Sequence, residues 1–82
     1  MVKLLILLQG TAIVSKIEEV GSEIGEPDCR LINPYMYMAD GTLQPWLSDL
    51  TTQNIFMIHS DKILTITDPN QNLLDKYEQL TK

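Results

Sequence analysis

Apolar residues recur along this chain in short runs, most of them too brief for a helix and rich in β-branched side chains. The first run, Lys3 to Gln9 (KLLILLQ), is closed by Gln9-Gly10. Its length and the turn after it favour a strand buried on both faces. Thr11 to Val20 (TAIVSKIEEV) reads as the second strand. Ala12, Val14, Lys16, Glu18 and Val20 fall on one face, and Thr11, Ile13, Ser15, Ile17 and Glu19 on the other. Both faces start apolar and end polar, as in a strand that leaves the core and runs into solvent. Gly21 to Pro27 (GSEIGEP) is a loop. Asp28 to Met38 is the third strand, and Pro34 within it marks an edge or a bulge because proline has no N–H for a ladder. Ala39 to Gln53 has no clear period and reads as a long loop, with the start of a strand near Trp46. Asn54 to His59 is the fourth strand, Ser60-Asp61 a two-residue turn, and Lys62 to Thr67 the fifth strand.

The period changes after Thr67. Leu73, Leu74, Tyr77 and Leu80 form one apolar stripe at helical spacing. Asp68 is placed to cap this helix, with Pro69 at its first position and Gln71 completing a capping box. The helix, about 69–80, is short and must dock to be stable. The chain is therefore expected to be one domain over 1–82. It is mainly β, a small SH3-like or OB-type barrel of five strands within 3–67, with one C-terminal helix.

Composition sharpens this. Of 82 residues, 44% are hydrophobic and 21% charged, which is apolar for a small soluble domain. Some apolar surface is then expected to be buried between copies. Six Lys and Arg against 11 Asp and Glu give a formal charge of −5. That excludes a generic polybasic nucleic-acid binder and disfavours an anionic membrane surface. The N-terminus opens like a signal peptide, but its apolar run is only Leu4 to Leu8, short for that role. No run approaches the ~20 residues of a membrane span. Cys29, the only cysteine, excludes an internal disulfide and fits the reducing cytoplasm.

The catalytic inventory is thin. His59 is the only imidazole; Ser60 and Asp61 follow it, but neighbours on a turn do not make a triad. Cys29 beside Arg30 could have a lowered thiol pKa, or could be a small strand residue. Glu18, Glu19, Glu23 and Glu26 gather around the first long loop, as a solvated strand end does. Neither an enzyme nor a metal or other cofactor is expected. Tyr35, Tyr37, Trp46 and Phe56 could stack on bases, although aromatics in a small barrel more often pack core or interface.

Ile58-His59-Ser60-Asp61-Lys62-Ile63-Leu64-Thr65-Ile66 resembles the second motif of Sm-like proteins, in which an apolar strand runs into Arg-Gly-Asp-Asn and then Ile. His59 stands for the Arg, Ser60 for Gly and Lys62 for Asn. Upstream, Gly10, a long strand, a loop and Asn33 before an apolar stretch resemble the first motif. The chain departs from the family in placing its helix last and in the spacing from Asp28 to Asn33. The sequence as a whole also resembles small environmental or phage-encoded marine proteins, without a motif that carries the likeness. The Sm-like resemblance implies a five-stranded, strongly bent barrel. It implies a homo-oligomeric ring, joined through edge strands around 54–59 and 62–67, that binds single-stranded RNA or DNA. Carried over by position, Asn33 would hydrogen-bond a base edge, and His59, flanked by Ser60 and Lys62, would contact a base or phosphate. Arg30 and Tyr35 join them on chemistry, as a charge for phosphate and a ring for stacking. A small β-barrel assembly module without nucleic-acid affinity is the alternative.

Overall fold

The structure is a computed structural model that describes residues 1–21 and 23–81; Ser22, in the expected first loop, and Lys82 lie outside the described residues. Six strands form one antiparallel sheet, followed by a C-terminal helix. They are β1 (Val2–Leu7), β2 (Ala12–Glu19), β3 (Cys29–Tyr37), β4 (Leu43–Pro45), β5 (Ile55–Ile58) and β6 (Ile63–Thr67), then α1 (Gln71–Leu80). The sheet runs β4-β3-β2-β1-β6, and β5 pairs with the other half of β3.

The β1–β2 hairpin closes at Gly10. This residue takes φ 95° and donates its N–H to the Leu7 carbonyl at 2.9 Å, a backbone shape that a Cβ would strain. Register sets two sheet faces. Leu5 pairs with Ile13 and Ile66, and Leu31 with Ile17 and Phe56. On this face Leu5, Leu7, Ile13 and Leu31 form the core, with Ile17, Trp46, Ile58 and Ile63 packed around them. As expected, β2 is buried at Ile13 and Val14 and exposed at Glu18 and Glu19.

Pro34 is a bulge residue. Between Val14 and Lys16 the β2–β3 register shifts, so that Val14 faces Tyr35 while Lys16 faces Ile32. The two residues left over, Asn33 and Pro34, sit where β3 exchanges β5 for β4 as its partner. The gap between those two short strands removes the need for a ladder N–H at Pro34. Asn33 adopts φ 53°.

The helix docks on the second face through that bulge. Tyr77 is fully buried, and its hydroxyl accepts the Lys16 N–H at 3.3 Å. It lies 3.2 Å from the Ile32 carbonyl and 2.9 Å from the Asn33 carbonyl, either of which can take its proton. Its ring meets Tyr35 edge to face at 5.7 Å. The cap differs from expectation. Asn70 caps α1 by accepting the Leu73 N–H at 2.9 Å, whereas Asp68 pairs with Lys3 at 2.5 Å. Two further corrections concern connections. Part of the expected 39–53 loop is β4, and Ser60–Lys62 is a 3-10 turn, so the last strand begins at Ile63.

Candidate functional site

The residues expected to bind nucleic acid are distributed over three places. Asn33 and Tyr35 line an open cleft of about 460 Å³ with Trp46, Gln53, Asn54 and Phe56. Asn33 lies within β3, the strand in which the sequence placed it, with its N–H bound to the Asn54 carbonyl at 2.8 Å. His59 and Ser60 line a different pocket together with Glu23, Glu26, Asp28 and Asp61. Arg30 is exposed on β3 and pairs with Glu18 at 3.4 Å. Lys62 ends the 3-10 turn, exposed, with its carbonyl bound to the Leu8 N–H at 3.0 Å.

Asp28 organises the pocket of His59 and Ser60. Its two carboxylate oxygens take the Ser60 N–H and the Ser60 hydroxyl, each at 2.7 Å. The Ser60 hydroxyl and then its N–H hold the Asp28 carboxyl below its ordinary value. The contact ties the β2–β3 loop to the β5–β6 turn. It also fixes a negative charge beside Ser60, and Glu23, Glu26 and Asp61 line the same pocket. A phosphate would meet carboxylates there.

Cys29 departs from one expectation of the sequence. Burial, then the charges of Asp28 and Glu19, push its thiol pKa up, so it stays protonated and is not an activated nucleophile. Among the described residues no group of three or more His, Cys, Asp or Glu could hold a metal ion. No helix among them is long and apolar enough to cross a membrane.

The aromatic cleft is built differently. Trp46 follows β4, its N–H bound to the Pro34 carbonyl at 2.9 Å, and its ring meets Phe56 of β5 edge to face at 5.6 Å. The next residue, Leu47, takes φ 62°, and its carbonyl accepts the N–H groups of Leu50 and Thr51 at 2.9 and 3.1 Å. A leucine in that conformation stores about 1–3 kcal/mol of strain. The Gln53 side chain donates to the Ile55 carbonyl. Among the described residues, the carboxamides of Asn33 and Asn54 and the indole N–H of Trp46 make no hydrogen bond with protein. Trp46 and Phe56 were visible in sequence as stacking candidates. Their partners Gln53 and Asn54 were not, because Gln53 ends a stretch without period and Asn54 opens a strand, and neither position by itself signals a cleft.

The third feature is an edge. β5 pairs only with β3, and β6 only with β1, among the described residues. Ile55, Met57, Leu64 and Ile66 on these two strands are all 45% exposed or more. Ile66 is the most telling. It lies opposite Leu5, on the core face, yet it is half exposed.

A family model described as "Family of unknown function (DUF6561)" matches residues 1–82. No curated protein matches the chain.

Proposed function

Since the chain belongs to DUF6561, a family of unknown function whose model covers it from 1 to 82, we propose its role from geometry: it is a self-assembling β module. The β6 edge of one copy receives the β5 edge of the next, and repetition closes a ring. The observation that carries this is Ile66, an apolar residue on the core face that is half exposed, on a strand that pairs only with β1 among the described residues. A heterologous edge-to-edge contact of this kind satisfies two bare edges per copy. The accessible surface supports the same reading: it is 5499 Å², against about 5,000 Å² expected for a monomer of 9.3 kDa.

Cysteine trapping tests the contact. Met57→Cys and Thr65→Cys place thiols on the two edges, while the native Cys29 is buried. The double variant, oxidised, should run as covalent dimers and larger species, and each single variant should give far less. Absence of cross-linking in the double variant would contradict the edge contact.

Single-stranded RNA is the second candidate ligand of such a ring, and one contact favours it. The Asp28–Ser60 bond joins the loop before β3, part of the first Sm-like stretch, to the His59–Lys62 turn of the second, as a shared rim would require. The carboxylates of that pocket count against it. Fluorescence anisotropy with oligo-U decides: salt-sensitive binding that falls in His59→Ala and Lys62→Ala supports RNA, and no binding by the wild-type ring removes it.

A further inference from the structure

The cleft beside β4 and the acidic pocket at Ser60 differ in the ligands they suit. Among the described residues, no Asp, Glu, Lys, Arg or His lines the cleft. Its walls alternate aromatic and proline surface with the neutral polar side chains of Asn33, Gln53 and Asn54. Its size lies within the range of small-molecule pockets, but so do the other clefts of this surface, and two different observations mark it as a site. First, the carboxamides of Asn33 and Asn54 and the indole N–H of Trp46 make no hydrogen bond with protein among the described residues, and all three residues line the one cleft. Second, the only non-glycine residues with positive φ among the described residues, Asn33 and Leu47, lie in its wall and directly after Trp46. Backbone strain held by surrounding structure collects at ligand sites.

We infer that this cleft binds a neutral saccharide. The electron-rich face of an indole attracts the C–H face of a sugar ring, because the ring quadrupole is negative over the face. A carboxamide offers a donor and an acceptor side by side, which matches two adjacent sugar hydroxyls. A ligand carrying phosphate would find no cation in the cleft among the described residues, and the chain as a whole carries a formal charge of −5. The inference stands whether or not copies assemble.

Trp46 is the only tryptophan of the chain, so intrinsic emission reports directly on the cleft. The purified full chain is titrated with neutral disaccharides of glucose, galactose, mannose and N-acetylglucosamine, and in parallel with adenosine and uridine. At least one disaccharide should give a saturable change in emission, and the nucleosides should not. Asn54→Ala should weaken that response about tenfold, the scale of losing ligand hydrogen bonds. Asn33→Gly, which keeps the left-handed backbone and removes the carboxamide, should do the same. Far-UV circular dichroism and particle mass should be unchanged in both variants. No saturable response to any disaccharide overturns the inference. So does an equal response to the nucleosides, or an affinity that neither substitution alters.

Discussion

Tyr77 joins the helix to the sheet through a single hydroxyl. It accepts the Lys16 N–H and can donate to the Asn33 carbonyl or to the Ile32 carbonyl, which the Ser15 hydroxyl also reaches at 3.1 Å. Burial and the neighbouring Tyr35 push its pKa up, against the backbone Lys16 N–H, so the phenol is held neutral as a donor and acceptor. Tyr77→Phe should therefore cost about 1–3 kcal/mol, the cost of stranding buried polar groups. Tyr35→Phe serves as control, since the Tyr35 hydroxyl makes one exposed 3.4 Å contact with the Leu80 carbonyl. Urea melts measure both, and equal losses would contradict the role given to Tyr77. Asp28 makes a second prediction at this scale. Its folded pKa lies below its unfolded value, so its contribution to stability is present above about pH 3.9 and is lost as pH falls through the folded pKa. The protection of the Ser60 amide against hydrogen exchange, taken relative to the intrinsic rate at each pH, should fall on acidification over that window, and in Asp28→Asn that fall should be absent. At this scale the sequence announces Pro34 as a break in a ladder. It does not announce Asn33 as its companion, because the bulge of two residues against one depends on which strands flank β3.

The strands and the helix are legible for a simple reason: their periods are local. The β2 pattern, apolar on both faces and then polar, maps directly onto a strand that leaves the core. Three details escape because they depend on residues far along the chain. β4 is three residues long and ends in proline, so its only support is pairing with Tyr35 to Tyr37. The last strand starts one residue late because the Asp28 carboxylate turns Ser60–Lys62 into a 3-10 turn. The helix cap moves to Asn70 because Lys3, more than sixty positions away, takes Asp68. Asp68 and Asn70 are both good capping residues, so composition could not choose between them. Asn70→Ala should lower stability by about 1 kcal/mol, while Asp68→Ala should cost under about 0.5 kcal/mol, as an exposed ion pair does. Thermal denaturation of the two variants checks that order, and the reverse order would return the cap to Asp68.

The molecule as a whole is a sheet with two unfinished ends. The proposed assembly would give its small core, its apolar composition and the bare edges of β5 and β6 one cause, with part of each copy's core completed by a neighbour. The excess of apolar residues was legible in composition, and the two apolar edge segments in pattern. Their exposure was not, because it depends on sheet order. The candidate RNA residues were legible only as types: Asn33, Arg30 and His59 end in three environments, and the carboxylates around Ser60 come from a loop that local pattern does not place. Assembly is thus the central claim, and mass in solution tests it most directly. Size-exclusion chromatography with light scattering on the wild-type chain should give a particle of several 9.3 kDa copies. Leu64→Lys, at a side chain 65% exposed, should keep the far-UV spectrum and reduce the mass toward a single copy. A wild-type chain that elutes as a 9.3 kDa monomer, or an assembly that Leu64→Lys leaves intact, would contradict the account.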